Sequence, residues 1–171
     1  MKVVIINGSA ESGKDEFITF IQKRWVNRNI VNTSTIDPSK AALKTLGWDG
    51  KTKNKETRQA MVDLKQMSIR LFNGPFRYIN ELIDTFEKQF KTESSVYFVH
   101  CREPEEIEKF AIHYKKKCIT LLVRSKRGKA LENGADNVVE NYDYDHIIEN
   151  NKSLKELETE AISFAKNYLG V

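Results

Sequence analysis

Near its start the chain carries an eight-residue run, GSAESGKD at positions 8–15, in which two glycines bracket four residues and a lysine follows at once. This spacing can build an anion site. Glycine at both ends lets the backbone turn tightly, so that successive N–H groups point into one hollow of phosphate size. A helix opening at that point adds the positive end of its dipole. Lys14 is the one cationic side chain of the run, and it can neutralise charge on a polyphosphate held there. The expected contact set is Gly8, Ser9, Ala10, Glu11, Ser12, Gly13, Lys14 and Asp15. The alternative is a glycine-rich turn without a ligand. Asp15 stands where the pattern calls for Ser or Thr, whose hydroxyl normally contacts Mg²⁺. A carboxylate can also hold a hard cation, directly or through water. Two readings of Asp15 stay open, a metal ligand or a cap on the helix start, in which case Ser12 or water would supply the metal contact.

A phosphate loop needs a strand before it and a helix after it, and the sequence predicts both. Residues 2–7 (KVVIIN) form a β-branched run of the kind that is buried on both faces of a parallel sheet. A helix is expected over 13–28, with Phe17, Ile21 and Trp25 at four-residue spacing. A second strand over 31–36 should close at Asp37-Pro38. A short helix over 39–46 and longer ones over 55–72 and from Pro75 to about Phe90 follow. Their stripes Met61, Leu64, Met67, Leu71 and Ile79, Leu82, Ile83, Phe86, Phe90 read as core. Strands over 95–100, 118–123 and 146–149 alternate with a helix opened by Glu103-Pro104-Glu105-Glu106. Ser153 caps a final helix with Leu154, Leu157, Ala161, Phe164 and Tyr168 on one face. This alternation implies a three-layer α/β domain with a mainly parallel sheet.

Composition sets the class. With 171 residues, 40% hydrophobic, 30% charged and 3 prolines, the chain suits one domain (1–171) with one sizeable core. No apolar run reaches the ~20 residues of a membrane span. A strand-like start leaves no room for a signal peptide, and two cysteines make no disulfide framework, so a cytoplasmic location is expected. Net charge is +4, unevenly spread. Residues 38–77 hold nine Lys/Arg against three acids, residues 115–129 seven basic residues and no acid, and residues 131–160 nine acids against two lysines. Two separated basic stretches suit a site that collects phosphates from two sides, although most such lysines only solvate helix faces. No aromatic-interleaved basic motif points to nucleic acid.

The SGKD ending of the loop resembles that of phage and bacterial deoxynucleoside monophosphate kinases and of animal-type phosphomevalonate kinases. Three further stretches are similar to the first group: STIDPSK at 34–40 with GWDG at 47–50; HCREPEEI at 100–107; and NGAD at 133–136 leading to ENYDYD at 140–145 and IIEN at 147–150. The resemblance implies the nucleoside-monophosphate-kinase branch of the P-loop NTPase folds, with a five-stranded parallel sheet, a helical acceptor-binding insert at about 38–74 and a lid at about 124–140. ATP and Mg²⁺ would be the cofactors. Lid arginines, Arg124 and Arg127, would close over the ATP phosphates and stabilise the transferred group.

Other candidates read from the residues themselves. Arg102 follows the third strand, on the edge where open parallel sheets bind ligands. It reads as a clamp on the acceptor phosphate or as a surface ion pair with Glu105 or Glu106. Asp37 follows the second strand, positioning acceptor or metal waters, or making a plain Asp-Pro turn. Within the expected insert Lys40, Lys44, Arg58 and Arg70 are candidates, Arg58 first because guanidinium suits bidentate phosphate binding. Glu103 can orient a metal's water shell, since no Walker-B aspartate ends the third strand. His100, His113 and His146 lack metal-ligand spacing. The expected activity is ATP-dependent phosphoryl transfer to a small phosphorylated acceptor, a (deoxy)nucleoside monophosphate, with homo-oligomerisation open. The alternatives are a kinase for another small phosphate and a nucleotide-binding module with little turnover.

Overall fold

The structure, a computed structural model, describes residues 1–90, 95–126 and 139–170. The chain divides into two compact units, residues 1–32 with 90–171, and residues 33–89.

The sheet has five strands: β1 (Lys2–Asn7), β2 (Ile30–Ser34), β3 (Val96–His100), β4 (Cys118–Arg124) and β5 (His146–Glu149), in the order β2-β3-β1-β4-β5. β1 pairs in parallel with β3 (Val4 opposite Phe98) and with β4 (Val4 opposite Ile119), and β4 in parallel with β5. Successive side chains in a strand alternate faces, and here both faces are covered. Val4, Ile6, Phe98, Leu121 and Val123 meet α1 (Lys14–Arg24) and α6 (Leu154–Phe164) through Phe17, Ile18, Ile21, Leu157 and Phe164. Val3, Ile5, Tyr97, Val99 and Leu122 alternate with them and are equally buried. α5 (Pro104–Tyr114), with Ile107 and Phe110 fully buried, packs against β4 and β1. Helix, sheet and helix make the three layers expected. Parallel pairing demands crossovers, and burial on both faces is why the strands read as unbroken apolar runs rather than alternating ones.

The second unit holds α2 (Asp37–Thr45), which packs on α3 (Lys55–Phe72), and α4 (Gly74–Phe90). Asn54 caps α3 by accepting the Thr57 N–H at 2.8 Å, and Asn73 closes it in the left-handed region. Among the described residues no helix is long and apolar enough to cross a membrane.

Several local expectations are corrected. α1 ends at Arg24, not at residue 28, where Trp25 leaves helical dihedrals and its N–H caps Ile21 O. α2 begins at Asp37, two residues early, because a proline in the first turn loses no helical hydrogen bond. The apolar stripes are only partly core. Met61, Ile79 and Ile83 are buried, whereas Met67, Leu71 and Phe90 are exposed. In the last helix Leu154 and Tyr168 are exposed and Leu169 is buried. A π turn over Ala165–Leu169 explains the second half of that change. Its wider turn advances the inward face by one residue, so Leu169 takes the place that α-helical spacing assigns to Tyr168.

Candidate active site

The phosphate loop leaves the carboxyl end of β1, the central strand, and enters α1. Gly8 has φ +150°, and a Cβ on it would lie 2.3 Å from the Val123 carbonyl oxygen and 2.6 Å from Ser12 Oγ. Gly13, at φ +96°, is the N-cap of α1, and a Cβ there would meet the Asn150 amide nitrogen at 2.4 Å. Only glycine fits either position. The first helical bond of α1 runs from Phe17 N–H to Gly13 O. The amides of the preceding turn therefore stand outside the helix ladder, at the positive end of the dipole.

Lys14 folds back over the loop. Its ammonium donates to the carbonyls of Gly8 (2.8 Å) and Ser9 (2.7 Å), and Ser12 Oγ lies at 3.4 Å. Three loop oxygens thus hold the cation at the mouth of the turn, within the same run of residues that a phosphate would engage. Ser12 is fully buried, and its carbonyl accepts from Asn150 Nδ2 at 2.9 Å. Behind the loop Asn7, also buried, accepts the Gly8 N–H at 2.7 Å. Its Nδ2 donates to Arg102 O at 3.3 Å and to Tyr144 Oη at 2.7 Å.

Asp15 is largely exposed, with Oδ1 3.5 Å from His100 Nε2, and the start of α1 has no side-chain cap. The carboxylate faces the end of β3, not the helix amides. As oxygen donors, Ser12 and Asp15 suit a hard cation. Among the described residues no group of three or more His, Cys, Asp or Glu could hold a metal by itself. A Mg²⁺ here would take most of its ligands from phosphate and water.

Arg102 is half-buried just beyond β3. Arg124, at the end of β4, gives Nε and Nη2 to Glu140 and Nη1 to Glu149 (2.8 Å). All three guanidinium nitrogens are engaged, and these bonds raise its pKa further and lower that of Glu140. To serve a phosphate, Arg124 would have to exchange carboxylates for it. Arg127 and most of the expected lid lie outside the described residues. The Cys118 thiol is pushed up to about 12, by burial first and then by Asp145, which leaves no thiolate.

The second unit gathers part of the expected acceptor set. Asp37 binds Lys40 Nζ (2.9 Å), the Ser34 N–H (2.8 Å) and Thr33 Oγ1 (3.4 Å). Arg58 bonds only weakly to Lys53 O, at 3.3 Å, and Arg70 and Lys44 are exposed. Lys65, which sequence reasoning passed over, is buried on α3 and donates to Thr35 Oγ1 at 2.9 Å.

Asn7, His100, Tyr144 and Asn150 were missed as parts of the loop's surroundings. Tyr144 and Asn150 do lie in the stretches 140–145 and 147–150 that carry the resemblance. Their bonds to Asn7 and Ser12 span 137 and 138 residues, and no local spacing signals that.

Fold and loop together define a class, the three-layer α/β P-loop fold with its phosphate loop between the central strand and the first helix. Neither a family model nor a curated protein matches the chain. Among solved structures it is similar to the dephospho-CoA kinase of Campylobacter jejuni, at 13% identity and a TM-score of 0.51 over 99% of this chain and 98% of that one. It is also similar to a mutant of the APS kinase CysC of Mycobacterium tuberculosis, at 12% identity and a TM-score of 0.50 over 96% of each chain. At such identities the likeness is one of fold.

Proposed function

We propose that this protein is an ATP-dependent kinase that transfers a phosphoryl group to a small phosphorylated acceptor, a (deoxy)nucleoside monophosphate. The observation that carries the reading is the loop itself. Two positive-φ glycines turn the backbone at the end of the central strand, and the Lys14 ammonium is held across it by the Gly8 and Ser9 carbonyls. Similarity of fold to two enzymes named as kinases of small molecules agrees with it.

In this reading loop amides and the start of α1 bind the ATP phosphates, and Lys14 moves from the loop carbonyls to the β- and γ-phosphate oxygens. An acceptor phosphate oxygen attacks the γ-phosphorus, the bond from that phosphorus to the β–γ bridging oxygen breaks, and ADP leaves. Ser12 and Asp15 would hold the Mg²⁺ that accompanies ATP, and the ion would screen phosphate charge. Arg102 clamps the acceptor phosphate and Arg127 meets the charge developing on the transferred group. Asp37, Lys40, Arg58 and Arg70 form the acceptor insert. Catalysis is positioning and electrostatics rather than covalent chemistry. One domain carrying an insert (38–74) and a lid (124–140) and working in the cytoplasm completes the proposal.

ADP formation is the test. Purified protein with ATP and Mg²⁺ should form ADP steadily only when a nucleoside monophosphate is added, and mass spectrometry should find the diphosphate. ATP binding without turnover across the nucleotide panel would favour a nucleotide-binding module instead. That second reading draws on the full engagement of Arg124 by carboxylates. Turnover with phosphomevalonate or a sugar phosphate alone would move the acceptor class.

A further inference from the structure

We propose that Asn7 and Tyr144 form a buried relay that sets the phosphate loop from behind, with Tyr144 a positioning residue for ATP although it lies outside the loop. This rests on the reading of the loop as an ATP site.

The hydrogen bonds around Asn7 permit one arrangement only. The Gly8 N–H can only donate and the Arg102 carbonyl can only accept, so Oδ1 must face the first and Nδ2 the second, at 2.7 and 3.3 Å. Nδ2 therefore also donates to Tyr144 Oη (2.7 Å), whose proton must go the other way, to Val139 O at 2.8 Å. Asn7 is 1% exposed and Tyr144 9%, so neither finds a ready replacement in water. An asparagine suits this position because one neutral side chain both accepts from the loop and donates twice. Aspartate would turn a second oxygen toward the Arg102 carbonyl.

One amide group therefore joins two elements assigned to different phosphates, the first N–H of the loop and the backbone at Arg102. The Gly8 N–H is committed to Asn7, so the loop's anion hollow starts at a fixed amide after it. Tyr144 is itself held firmly. Its ring meets Tyr142 at 5.1 Å, Tyr142 Oη lies 3.0 Å from Glu108 Oε2, and Asp145 exchanges bonds with Thr120 at 2.8 to 2.9 Å. A rigid hydroxyl on one side and a loop amide on the other make the asparagine a coupling rather than a filler.

The test compares two variants of the whole chain. Tyr144→Phe keeps the ring and removes the relay. Thr120→Val loosens the same segment through Asp145 and leaves the relay intact. Amide NMR without ligand, equilibrium titration with ATP, and thermal unfolding are measured on both. We expect Tyr144→Phe to shift the Gly8 amide resonance and weaken ATP binding about five- to tenfold. Thr120→Val should lower the melting temperature, with ATP affinity within about twofold of wild type and the Gly8 resonance unmoved. Wild-type ATP affinity in Tyr144→Phe, or equal losses in both variants, overturns the relay. A wild-type protein that binds no ATP would remove the ATP reading of the loop and the inference with it, and the titration of that protein separates this outcome from the other two.

Discussion

Lys14 is the residue whose chemistry has no substitute in the described site. Its ammonium holds two loop carbonyls, and on ATP binding it would trade those bonds for phosphate oxygens. Lys14→Ala should abolish phosphoryl transfer while circular dichroism and melting stay close to wild type, because the side chain sits at the loop and not in the core. Turnover at the wild-type rate would remove the phosphate-loop mechanism. Asp15 tests the metal. It is exposed and faces His100, so its carboxylate is available to a cation at little structural cost. Asp15→Ala should raise the Mg²⁺ concentration for half-maximal activity, and Asp15→Ser should largely restore it. An unchanged Mg²⁺ requirement in both would leave Ser12 and water as the metal's partners.

At the scale of elements, the proposed mechanism divides the work between the carboxyl ends of β3 and β4. Arg102 follows β3, and Arg127 belongs to the segment after β4. A charge-assisted hydrogen bond to phosphate is worth about 1.5–3 kcal/mol, or roughly ten- to a hundredfold in binding. Arg102→Ala should therefore raise the KM for the monophosphate with little effect on ATP. Arg127→Ala should mainly lower kcat, since a lid arginine matters most when charge moves in the transition state. Steady-state kinetics with each substrate varied in turn decides the matter. An Arg102→Ala enzyme that loses ATP affinity and keeps acceptor affinity would show the two halves exchanged. α6 offers a stability test away from the chemistry. Ser153 and Glu156 form a capping box at its start, and α6 carries Leu157 and Phe164 into the core. Ser153→Ala should cost about 1 kcal/mol, and lower the melting temperature by about 2–4 °C for a chain of this size, with kcat unchanged.

For the molecule as a whole, the carboxylate shifts resolved among the described residues have one direction. Glu140 is held below its ordinary 4.5 by the hydrogen bonds from Arg124, Glu156 below 4.5 by the bonds from Ser153, and Asp49 below 3.8 by those from Thr52. Groups with a lowered folded pKa stabilise the protein fully above their unfolded values, and that stability is lost as pH falls through the folded ones. Melting temperature should thus be flat in respect of these groups from pH 7 to about 5 and fall below about 4.5. The three are solvent-facing, so the fall should be shallow and should shrink further with salt. Glu140→Gln should flatten the acid limb, and a variant that keeps the full slope would show that the pair with Arg124 adds nothing to it.

The sequence alone determined the order of strands and helices, the single phosphate loop and its place between the first strand and the first helix. Each of these is a short-range property. A buried parallel strand must be apolar without a break, and a tight anion-binding turn must have glycine where φ is positive and a lysine beside it. The tertiary structure decided the strand order β2-β3-β1-β4-β5, which makes the loop-bearing strand central. It also decided that Met67, Leu71 and Phe90 stay outside the core, since a stripe continues for as long as its helix does and is covered only where another element reaches it. Around the loop, pairing joined Tyr144 to Asn7, Asn150 to Ser12 and His100 to Asp15, and Arg124 to two carboxylates. These partners come from separate strands and the connections beyond them. A hydrogen bond spanning 137 residues leaves no period or spacing to read, because it exists only once parallel pairing has brought the carboxyl ends of the strands to one edge.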